Sequence, residues 1–211
     1  QVNVLFVGDL LYHFRKVKGI IHASTGGVYE ALRGEKAKEE ETRLLAGTLD
    51  TYDISKLAAE LMVIWFSRNF RIPSVILRYF FPYTSHSENG IKNIAKKVAN
   101  GEPIEVEEGG TRPRNPIHIS DLVEFTIKSV SLCKVPPEIV NIAGKEVITI
   151  REIAEAAGRE LGKKPIFKEI KPKFIALPLG DITKMKKLLG EPKVSVWDRI
   201  HLAIKAQKKE M

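Results

Sequence analysis

The hydrophobic and polar positions of the first 83 residues follow two periodicities. Apolar residues recur at helical spacing in VNVLFVGDLLYHFRKV, residues 2–17, and again from Thr51 to Asn69. Two short apolar runs, one ending at Ser24 and one following Pro73, are typical of buried strands. Residues 30–48 are rich in charge and are predicted to form a loop. A strand, a helix and a strand in this order predict the βαβ unit of a parallel sheet.

Beyond Pro82 the pattern changes to shorter elements that are joined by turns. The predicted elements are a helix over 91–100, a strand over 103–108, a helix over 121–131 with Ser120 as its N-cap, a strand over 138–144, a helix over 148–164 and a last helix over 194–208. Thr149 and Glu152 have the spacing of a capping box. The whole pattern predicts an α/β protein: half of a doubly wound parallel sheet, followed by a smaller mixed region.

Composition narrows the class of protein. The 211 residues suffice for one large domain or two small ones, and 44% hydrophobic and 28% charged residues are ordinary for a globular protein. No apolar run approaches the ~18 residues of a membrane span, and no signal peptide opens the chain. The single cysteine, Cys133, allows no internal disulfide and fits a cytoplasmic protein. No metal site is predicted.

The positive charge points to a small ligand rather than to nucleic acid. The formal net charge is +8, but the lysines are interspersed with glutamates, as in RGEKAKEEETR, and aromatic residues are few. We therefore expect no nucleic-acid partner. A ligand that carries phosphate suits this charge balance.

Two pairs of residues could carry proton-transfer chemistry. Tyr52 and Lys56 are four residues apart and share one face of the predicted helix. An ammonium beside a phenol favours the phenolate, which would lower the pKa of Tyr52 from about 10 and make it an acid or base near neutrality. An ordinary exposed helix face is the alternative for Y-x-x-x-K alone. Ser24 and Thr25 favour the site, because they end a buried strand where ligands bind in parallel sheets, and Gly26–Gly27 allow close backbone approach.

The order of four motifs resembles a known family. S-T-x-x-V-Y, Y-x-x-x-K, L-R-Y-F-x-P and R-x-x-I-H-I-x-D follow one another as in the extended short-chain dehydrogenases/reductases. The resemblance is greatest to the NAD-dependent nucleotide-sugar epimerases and dehydratases, which UDP-galactose epimerase typifies. It continues through VNIAGKEVITIREIAEAAGRELGK and DITKMKKLLGEPKVSVWDRI, and so covers nearly the whole chain.

The resemblance implies a fold and a division into domains. The fold is the C-terminal part of a Rossmann-type doubly wound parallel sheet plus a small mixed α/β substrate-binding region. Residues 1–83 would be the second half of the NAD-binding domain. Residues 84–211 would mainly bind substrate, with about 115–133 returning to the Rossmann domain.

The resemblance also assigns the candidate catalytic residues. Tyr52 matches the catalytic tyrosine of the family, and Lys56 matches the lysine that holds the nicotinamide ribose. Thr25 matches the catalytic hydroxyl residue, which would also contact substrate, and Ser24 lies beside it.

Further residues are implied for the cofactor. The segment from Tyr79 through Phe80 to Pro82 would lie near the nicotinamide, and Asn3 matches an asparagine near the cofactor. The cofactor is expected to be NAD, with NADP as the alternative.

Two further residues are candidates for substrate binding, and two others are expected to have structural roles. Arg114 matches an arginine on the sugar-nucleotide phosphates, a task that suits a guanidinium, while the alternative is a surface arginine. Phe81 stands where the family has a substrate-binding asparagine, which leaves the substrate open. His118 is expected to pack, and Asp121 is expected to support the start of a helix.

Two departures from the family pattern shape the functional expectation. No G-x-x-G-x-x-G loop is present, so the chain is expected to begin within the nucleotide-binding domain, as a fragment, as the visible part of a longer chain or as a naturally shortened relative. Dehydratases carry Thr-Asp-Glu where this chain has Thr25–Gly26–Gly27. The missing acids favour epimerisation or simple oxidoreduction.

The expected function is that of an NAD-dependent nucleotide-sugar epimerase-like oxidoreductase. In this mechanism Tyr52 removes a hydroxyl proton, Lys56 stabilises the phenolate, and Thr25 positions the reacting oxygen while hydride passes to the cofactor. The alternatives are a catalytically silent binding or scaffold protein of the same fold, and a nucleotide-sugar dehydratase or reductase. A homodimer through the Y-x-x-x-K helix and the helix before it is expected, because relatives often assemble in that way.

Overall fold

The computed structural model describes residues 2–13, 16–29, 36–40, 51–84, 91–171 and 179–209. The strands are β1 (Ile20–Thr25), β2 (Lys36–Ala37), β3 (Ser74–Tyr79), β4 (Pro82–Tyr83), β5 (Pro103–Glu107), β6 (Ile117–His118), β7 (Glu138–Ile142), β8 (Ile166–Ile170) and β9 (Leu179–Gly180). The helices are α1 (Val7–His13), α2 (Thr51–Phe70), α3 (Ile91–Asn100), α4 (Ile119–Lys128), α5 (Ile150–Leu161), α6 (Thr183–Leu189) and α7 (Val196–Lys209). A π-helical turn, Val2–Phe6, precedes α1, and short 3-10 turns cover Gly26–Val28, Glu108–Gly110 and Ser129–Leu132.

The chain divides into two compact units. The first unit contains Gln1–Phe80, Leu122–Ala143 and Leu177–Glu191, and the second contains Phe81–Asp121, Gly144–Ala176 and Pro192–Met211. The assignment of cofactor binding to residues 1–83 and of substrate binding mainly to 84–211 stays a prediction, because compactness alone assigns no ligand to either unit.

The first unit is built on a parallel sheet of order β1-β3-β7. Thr25 pairs with Tyr79, and Tyr79 pairs with Ile142, so the three strands end level with one another. The middle strand β3 is apolar along its centre because both of its faces are covered, as is usual in parallel sheets. Its residue Ile76 forms a core cluster with Leu11 of α1 and Val63 of α2. The predicted strand-helix-strand unit is thereby confirmed.

The second unit has its core among three helices. Strands β5 and β8 pair in parallel, and so do the two-residue strands β4 and β6. One apolar cluster joins α3, α5 and α7 to β5; its fully buried members include Ala95, Val98, Val106, Ala157, Ile200 and Ile204. The helices and strands that were predicted beyond Pro82 are present, and each end lies within three residues of its expected position.

One of the two predicted helix caps is confirmed and one is wrong. Thr149 Oγ1 accepts the Glu152 N–H at 3.2 Å, and the Glu152 carboxylate accepts the Thr149 N–H at 2.7 Å, as a capping box requires. Ser120, in contrast, is not an N-cap, because α4 already begins at Ile119. The Ser120 N–H is instead directed at Nδ1 of His118, at 3.3 Å.

His118 and Asp121 have structural contacts in the second unit. The His118 ring packs edge-on against Tyr83, with 5.3 Å between the ring centroids. The Asp121 carboxylate accepts the Val194 N–H at 2.9 Å. Asp121 therefore supports a neighbouring segment as well as the start of its own helix.

A buried ion pair fixes α2 on the sheet of the first unit. Arg78 of β3 donates two hydrogen bonds to the Glu60 carboxylate of α2, at 3.0 and 2.7 Å. The side chains are only 7% and 1% exposed. The Arg78 guanidinium also lies 4.6 Å from the ring centroid of Tyr29. Because charges this deep require full pairing, the two residues specify how α2 packs on β3.

Tyr29 and Asn141 extend this polar network. The Tyr29 hydroxyl donates to Asn141 Oδ1 at 2.7 Å, and Asn141 Nδ2 donates to the carbonyls of Ala37 and Asp181 at 2.9 and 3.3 Å. The Asn141 N–H donates to the Glu39 carboxylate at 2.9 Å. The Asn141 side chain thus joins β7 to β2 and to the residue that follows β9.

The burial of Tyr29 in this network leads to a prediction about the stability of the fold at alkaline pH. Burial raises the pKa of Tyr29 to about 12, above its ordinary value of 10.0. Between these two values the unfolded chain loses the phenolic proton while the folded chain keeps it, so rising pH destabilises the fold. We expect the difference in unfolding free energy between wild type and Tyr29→Phe to fall by about 1 kcal/mol between pH 9 and pH 11.

Urea denaturation at each pH measures this difference. Below pH 9 the Tyr29→Phe variant should be less stable than wild type by about 1 kcal/mol, because its hydrogen bond to Asn141 is lost. The matched control is Tyr12→Phe, since Tyr12 is 53% exposed. Parallel stability curves for wild type and Tyr29→Phe across this pH range would contradict the prediction.

Candidate functional site

The candidate site in the first unit begins where β1 ends. Thr25 Oγ1 accepts the Gly27 N–H at 3.1 Å, which caps the short turn Gly26–Val28. A Cβ at residue 26 would lie 2.4 Å from Cε1 of Phe80, and a Cβ at residue 27 would lie 1.9 Å from Oδ1 of Asp53. The buried Phe80 ring therefore excludes a side chain at residue 26, whereas a side chain at residue 27 would first have to displace the Asp53 carboxylate.

Phe80 supports this turn by packing. Its ring is 2% exposed and meets Gly26 on one side. A Cβ at Gly180 would lie 2.9 Å from the same ring, and Tyr29 stacks on it with 6.1 Å between centroids. The Phe80 ring is thus enclosed by protein and packs against the glycine turn, and its predicted place near the nicotinamide stays a prediction.

The structure brings Lys56 to Tyr52 and to β1. Lys56 Nζ lies 5.9 Å from the centroid of the Tyr52 ring and donates a hydrogen bond to the Ala23 carbonyl at 2.9 Å. Burial lowers the pKa of Lys56 below its ordinary value. The side chain of Tyr52 is 51% exposed. Lysine and tyrosine therefore share one helix face, and the lysine is tied to β1 two residues before Thr25.

Two polar atoms on the buried face of β1 are unsatisfied. Within the described ranges, Ser24 Oγ and His22 Nε2 are buried and have no hydrogen-bond partner. Burial, assisted by the nearby charge of Lys56, lowers the pKa of His22. Burying such groups without a partner costs free energy, so they mark this stretch of β1 as a place where a ligand atom or a water molecule would be stabilised.

The remaining cofactor candidates of the first unit are placed as follows. Tyr79 ends β3, and its hydroxyl lies 2.8 Å from Oγ1 of Thr126. Burial raises the pKa of Tyr79. Asn3 belongs to the π-helical turn before α1, and its side chain lies outside what the structure describes.

Two of the three candidate substrate residues, Phe81 and Arg114, line a cavity of the second unit. This cavity has a volume of about 380 Å³, and its walls include Phe81, Pro82, Lys97 and Arg114. The backbone of Arg114 is fixed by two hydrogen bonds with Ile148, both of 2.8 Å. Six of the other eleven lining residues are isoleucines and one is Glu105, so the cavity combines an apolar wall with two cationic groups and one carboxylate.

Arg114 faces this cavity without a carboxylate partner among the described residues. Its guanidinium lies 5.5 Å from the centroid of the Phe81 ring. The neighbouring Arg112 is paired with Glu107 at 2.7 Å. Burial and the charge of Arg112 lower the pKa of Arg114, while Glu107 opposes that shift. A half-buried cation of this kind is a favourable place for an anion.

Sequence reasoning missed three contacts that shape these sites. They are the pairing of Arg78 with Glu60, the Asp53 carboxylate against Gly27, and the Phe81 ring beside Arg114. A signal existed only for the first. Arg78 is the only charged residue of the buried strand β3, and such a residue indicates a buried ion pair, since lone charges are rarely buried.

Two features are absent from the residues that the structure describes. No group of three or more histidine, cysteine, aspartate or glutamate side chains with the geometry of a metal site occurs in the part of the chain that the structure describes. None of the helices described here is long and apolar enough to cross a bilayer.

Comparison with solved structures confirms the Rossmann-type α/β fold. UDP-glucuronic acid 4-epimerase from Bacillus cereus, in complex with NAD, is 28% identical, with a TM-score of 0.82 over 99% of this chain and 68% of that one. UDP-glucose 4-epimerase from Thermotoga maritima, with UDP-glucose, is 25% identical, with a TM-score of 0.78 over 99% of this chain and 70% of that one.

Sequence comparison agrees with this likeness. The protein called "Uncharacterized UDP-glucose epimerase YtcB" of Bacillus subtilis is 26% identical over 188 residues, which cover 86% of this chain and 58% of that protein. The chain therefore spans less than two thirds of the length of this relative. The model of the NAD dependent epimerase/dehydratase family matches residues 1–143. Because this match covers more than half of the sequence, the chain belongs to the NAD dependent epimerase/dehydratase family.

Proposed function

We propose that the protein is a nucleotide-sugar epimerase that uses NAD and transfers protons through Tyr52. The observation that carries this proposal is the contact of Lys56 with both the Tyr52 ring and the end of β1. It unites the two predicted halves of the site, the Y-x-x-x-K helix and the strand that ends in Ser24–Thr25.

The residues around Lys56 fit the nicotinamide end of a dinucleotide. An ammonium has three N–H donors, and the Ala23 carbonyl accepts one of them, which leaves two for ribose hydroxyls. The unsatisfied Ser24 hydroxyl adds a buried polar atom next to this position. Lys56 would hold the ribose, and Tyr79 would contact the nicotinamide. The chemistry that NAD would supply there is reversible hydride transfer at the sugar carbon.

Three side chains of this protein would transfer or position the proton. Tyr52, as phenolate, takes the proton from a sugar hydroxyl, and the positive charge of Lys56 stabilises that phenolate. Thr25 Oγ1 already accepts the Gly27 N–H, so its own O–H proton can be donated to the reacting sugar oxygen. The threonine thereby orients the oxygen toward Tyr52.

One observation supports a second candidate function, dehydration of the sugar. The glycines at 26 and 27 carry no acid, which favours epimerisation. The Asp53 carboxylate nevertheless lies against Gly27, so α2 supplies an acid to the turn. A dehydratase would use this carboxylate for water elimination, and the products distinguish the two reactions.

The lining of the cavity in the second unit favours a nucleoside diphosphate sugar as the substrate. Arg114 would bind the phosphates, since a guanidinium matches phosphate oxygens in two parallel hydrogen bonds. The apolar wall would contact the flat base. Solved relatives hold UDP-glucuronic acid or UDP-glucose, and we therefore propose a UDP-sugar as the ligand.

The decisive experiment follows conversion of UDP-glucose and UDP-glucuronic acid by proton NMR in the presence of NAD. Wild type should form the C4 epimer of one of them. Tyr52→Phe should lower turnover by at least about a hundredfold, because general acid-base catalysis contributes 10²–10⁴-fold. NAD affinity, measured by calorimetry, should change by less than about threefold.

Two control variants show whether a loss of turnover is specific to Tyr52 and which reaction takes place. Tyr12→Phe removes a hydroxyl of similar exposure outside the site and should retain turnover. Asp53→Asn should also retain epimerisation, whereas it should abolish a dehydration that yields a 4-keto-6-deoxy sugar. Binding of NAD and UDP-sugar without any conversion would instead show the silent binding protein, and full activity of Tyr52→Phe would reject the proposed proton transfer.

We further propose that two copies of the chain assemble through α2. Ile54, Leu61 and Trp65 are 55%, 53% and 55% exposed, and their spacing places them on one face of the helix. Leu5 and Phe6, which are 63% and 58% exposed, add apolar surface in the turn before α1. A second copy related by a twofold axis would cover the same face on both chains.

Sedimentation equilibrium tests this assembly. Trp65→Glu should raise the dimer dissociation constant by about thirtyfold or more, because a central tryptophan commonly contributes 2 kcal/mol or more to an interface. Ile127→Glu is the matched control, since Ile127 is 67% exposed on α4. A monomeric wild type, or equal effects of the two variants, would refute assembly through α2.

A further inference from the structure

Phe81 has a backbone conformation that is unfavourable for its residue type. Its φ angle is +45°, in the left-handed region that a bulky L-residue rarely adopts. Such a conformation persists only where the surrounding structure holds it, and it occurs preferentially at ligand sites. Strand β4 begins with the next residue, Pro82, which pairs with Ile117 and thus fixes the chain on the C-terminal side of Phe81.

The ring that this backbone presents contacts a cation. The Arg114 guanidinium lies 5.5 Å from the centroid of the Phe81 ring, within the distance at which the ring quadrupole attracts a positive charge. Both side chains line the same cavity of about 380 Å³. The aromatic ring therefore stands beside the cation at the wall of the proposed ligand site.

Within the described part of the chain, the Arg114 side chain has no carboxylate partner to hold it in place, unlike that of Arg112. Glu107 binds Arg112 at 2.7 Å, and no described carboxylate binds Arg114. Two hydrogen bonds with Ile148 fix the Arg114 backbone but not its long side chain. A flexible guanidinium loses conformational entropy when it binds an anion, and a surface that holds it in place reduces this loss.

We propose that Phe81 is the positioning residue of Arg114: its ring holds the guanidinium toward the cavity, ready to bind the diphosphate of the ligand. This proposal rests on the proposed function of the cavity. It assigns to Phe81 a role different from that of the amide which the family resemblance implies at this position. The amide would bind the ligand directly, whereas the ring acts through the arginine.

Calorimetric titration of the chain with UDP tests the proposal. Phe81→Leu and Phe81→Met remove the ring and keep an apolar side chain, and each should weaken UDP binding about five- to thirtyfold. Phe81→Tyr keeps the ring and should bind UDP within about twofold of wild type. Arg114→Ala should weaken binding about ten- to 150-fold, since a charge-assisted contact is lost.

A double-mutant comparison isolates action through the arginine. In the Arg114→Ala background, Phe81→Leu should change the UDP affinity by less than about twofold, because no guanidinium remains to be held. The matched control is Phe167→Leu, which removes a similar pair in which the Arg151 guanidinium lies 4.3 Å from the ring centroid. Phe167 does not line the cavity, and its loss should leave the UDP affinity unchanged.

The outcomes separate this proposal from the proposed function. Unchanged affinity in both Phe81→Leu and Phe81→Met would overturn the proposal, and so would an equal loss with and without Arg114, which would show that the ring contacts UDP itself. If wild type does not bind UDP, the proposed function of the cavity fails. The position of Arg114 is then decided by proton–nitrogen NMR of its Nε–H group, identified by its disappearance in Arg114→Lys. An upfield ring-current shift that Phe81→Leu abolishes supports the proposal, and a signal that does not move overturns it.

Discussion

Arg78 and Glu60 form a two-hydrogen-bond ion pair in the interior of the first unit, and the candidate site depends on it. The pair joins β3 to α2 at 3.0 and 2.7 Å, one helical turn after Lys56. Breaking a buried pair by removing one partner typically costs 3–5 kcal/mol, because the remaining charge stays buried. Other positions of α2 along the sheet are therefore strongly disfavoured. Since Lys56 lies on the same helix, the pair also sets where its ammonium meets β1.

Close packing at the end of β1 has the same specifying effect. Phe80 fills the space beside Gly26 and Gly180, and Asp53 fills the space beside Gly27. Interiors of this density leave little room for added atoms, so a side chain at residue 26 would displace the Phe80 ring and one at residue 27 would displace the Asp53 carboxylate. The geometry of the Thr25 hydroxyl thus depends on residues that carry no chemistry of their own.

Periodicity made most of the elements predictable from the sequence. The apolar spacing of Thr51–Phe70 and the apolar run of β3 are local signals, and the capping box at Thr149 depends on residues three positions apart. The predicted start of α4 was wrong, because the helix begins at Ile119 and the Ser120 N–H is directed at a histidine nitrogen. Signals that lie within one turn of chain are accessible to sequence reasoning.

Contacts between distant segments were less accessible, for a physical reason. The Tyr52–Lys56 pair was predictable because both residues lie on one helix, whereas Asp53 and Gly27 are joined only by the packing of α2 on the strand end. The ring of Phe81 beside Arg114 was similarly hidden, since their sequence separation is large and the backbone conformation of Phe81 is unusual. The sequence showed that an amide was replaced, but only the packing shows which neighbour the new ring contacts.

The distribution of carboxylate partners explains why net charge was a weak guide to the ligand. The formal charge of +8 is spread over the chain, and the buried cations differ in how they are compensated. Glu60 neutralises Arg78 and Glu107 neutralises Arg112, so these two arginines stabilise the fold. Arg114 has an aromatic ring in place of a carboxylate, which holds the cation without cancelling its charge. An anion entering the cavity would therefore meet the charge of Arg114, which the whole-chain charge does not reveal, and in the proposed role of Phe81 the ring would hold that charge toward the ligand.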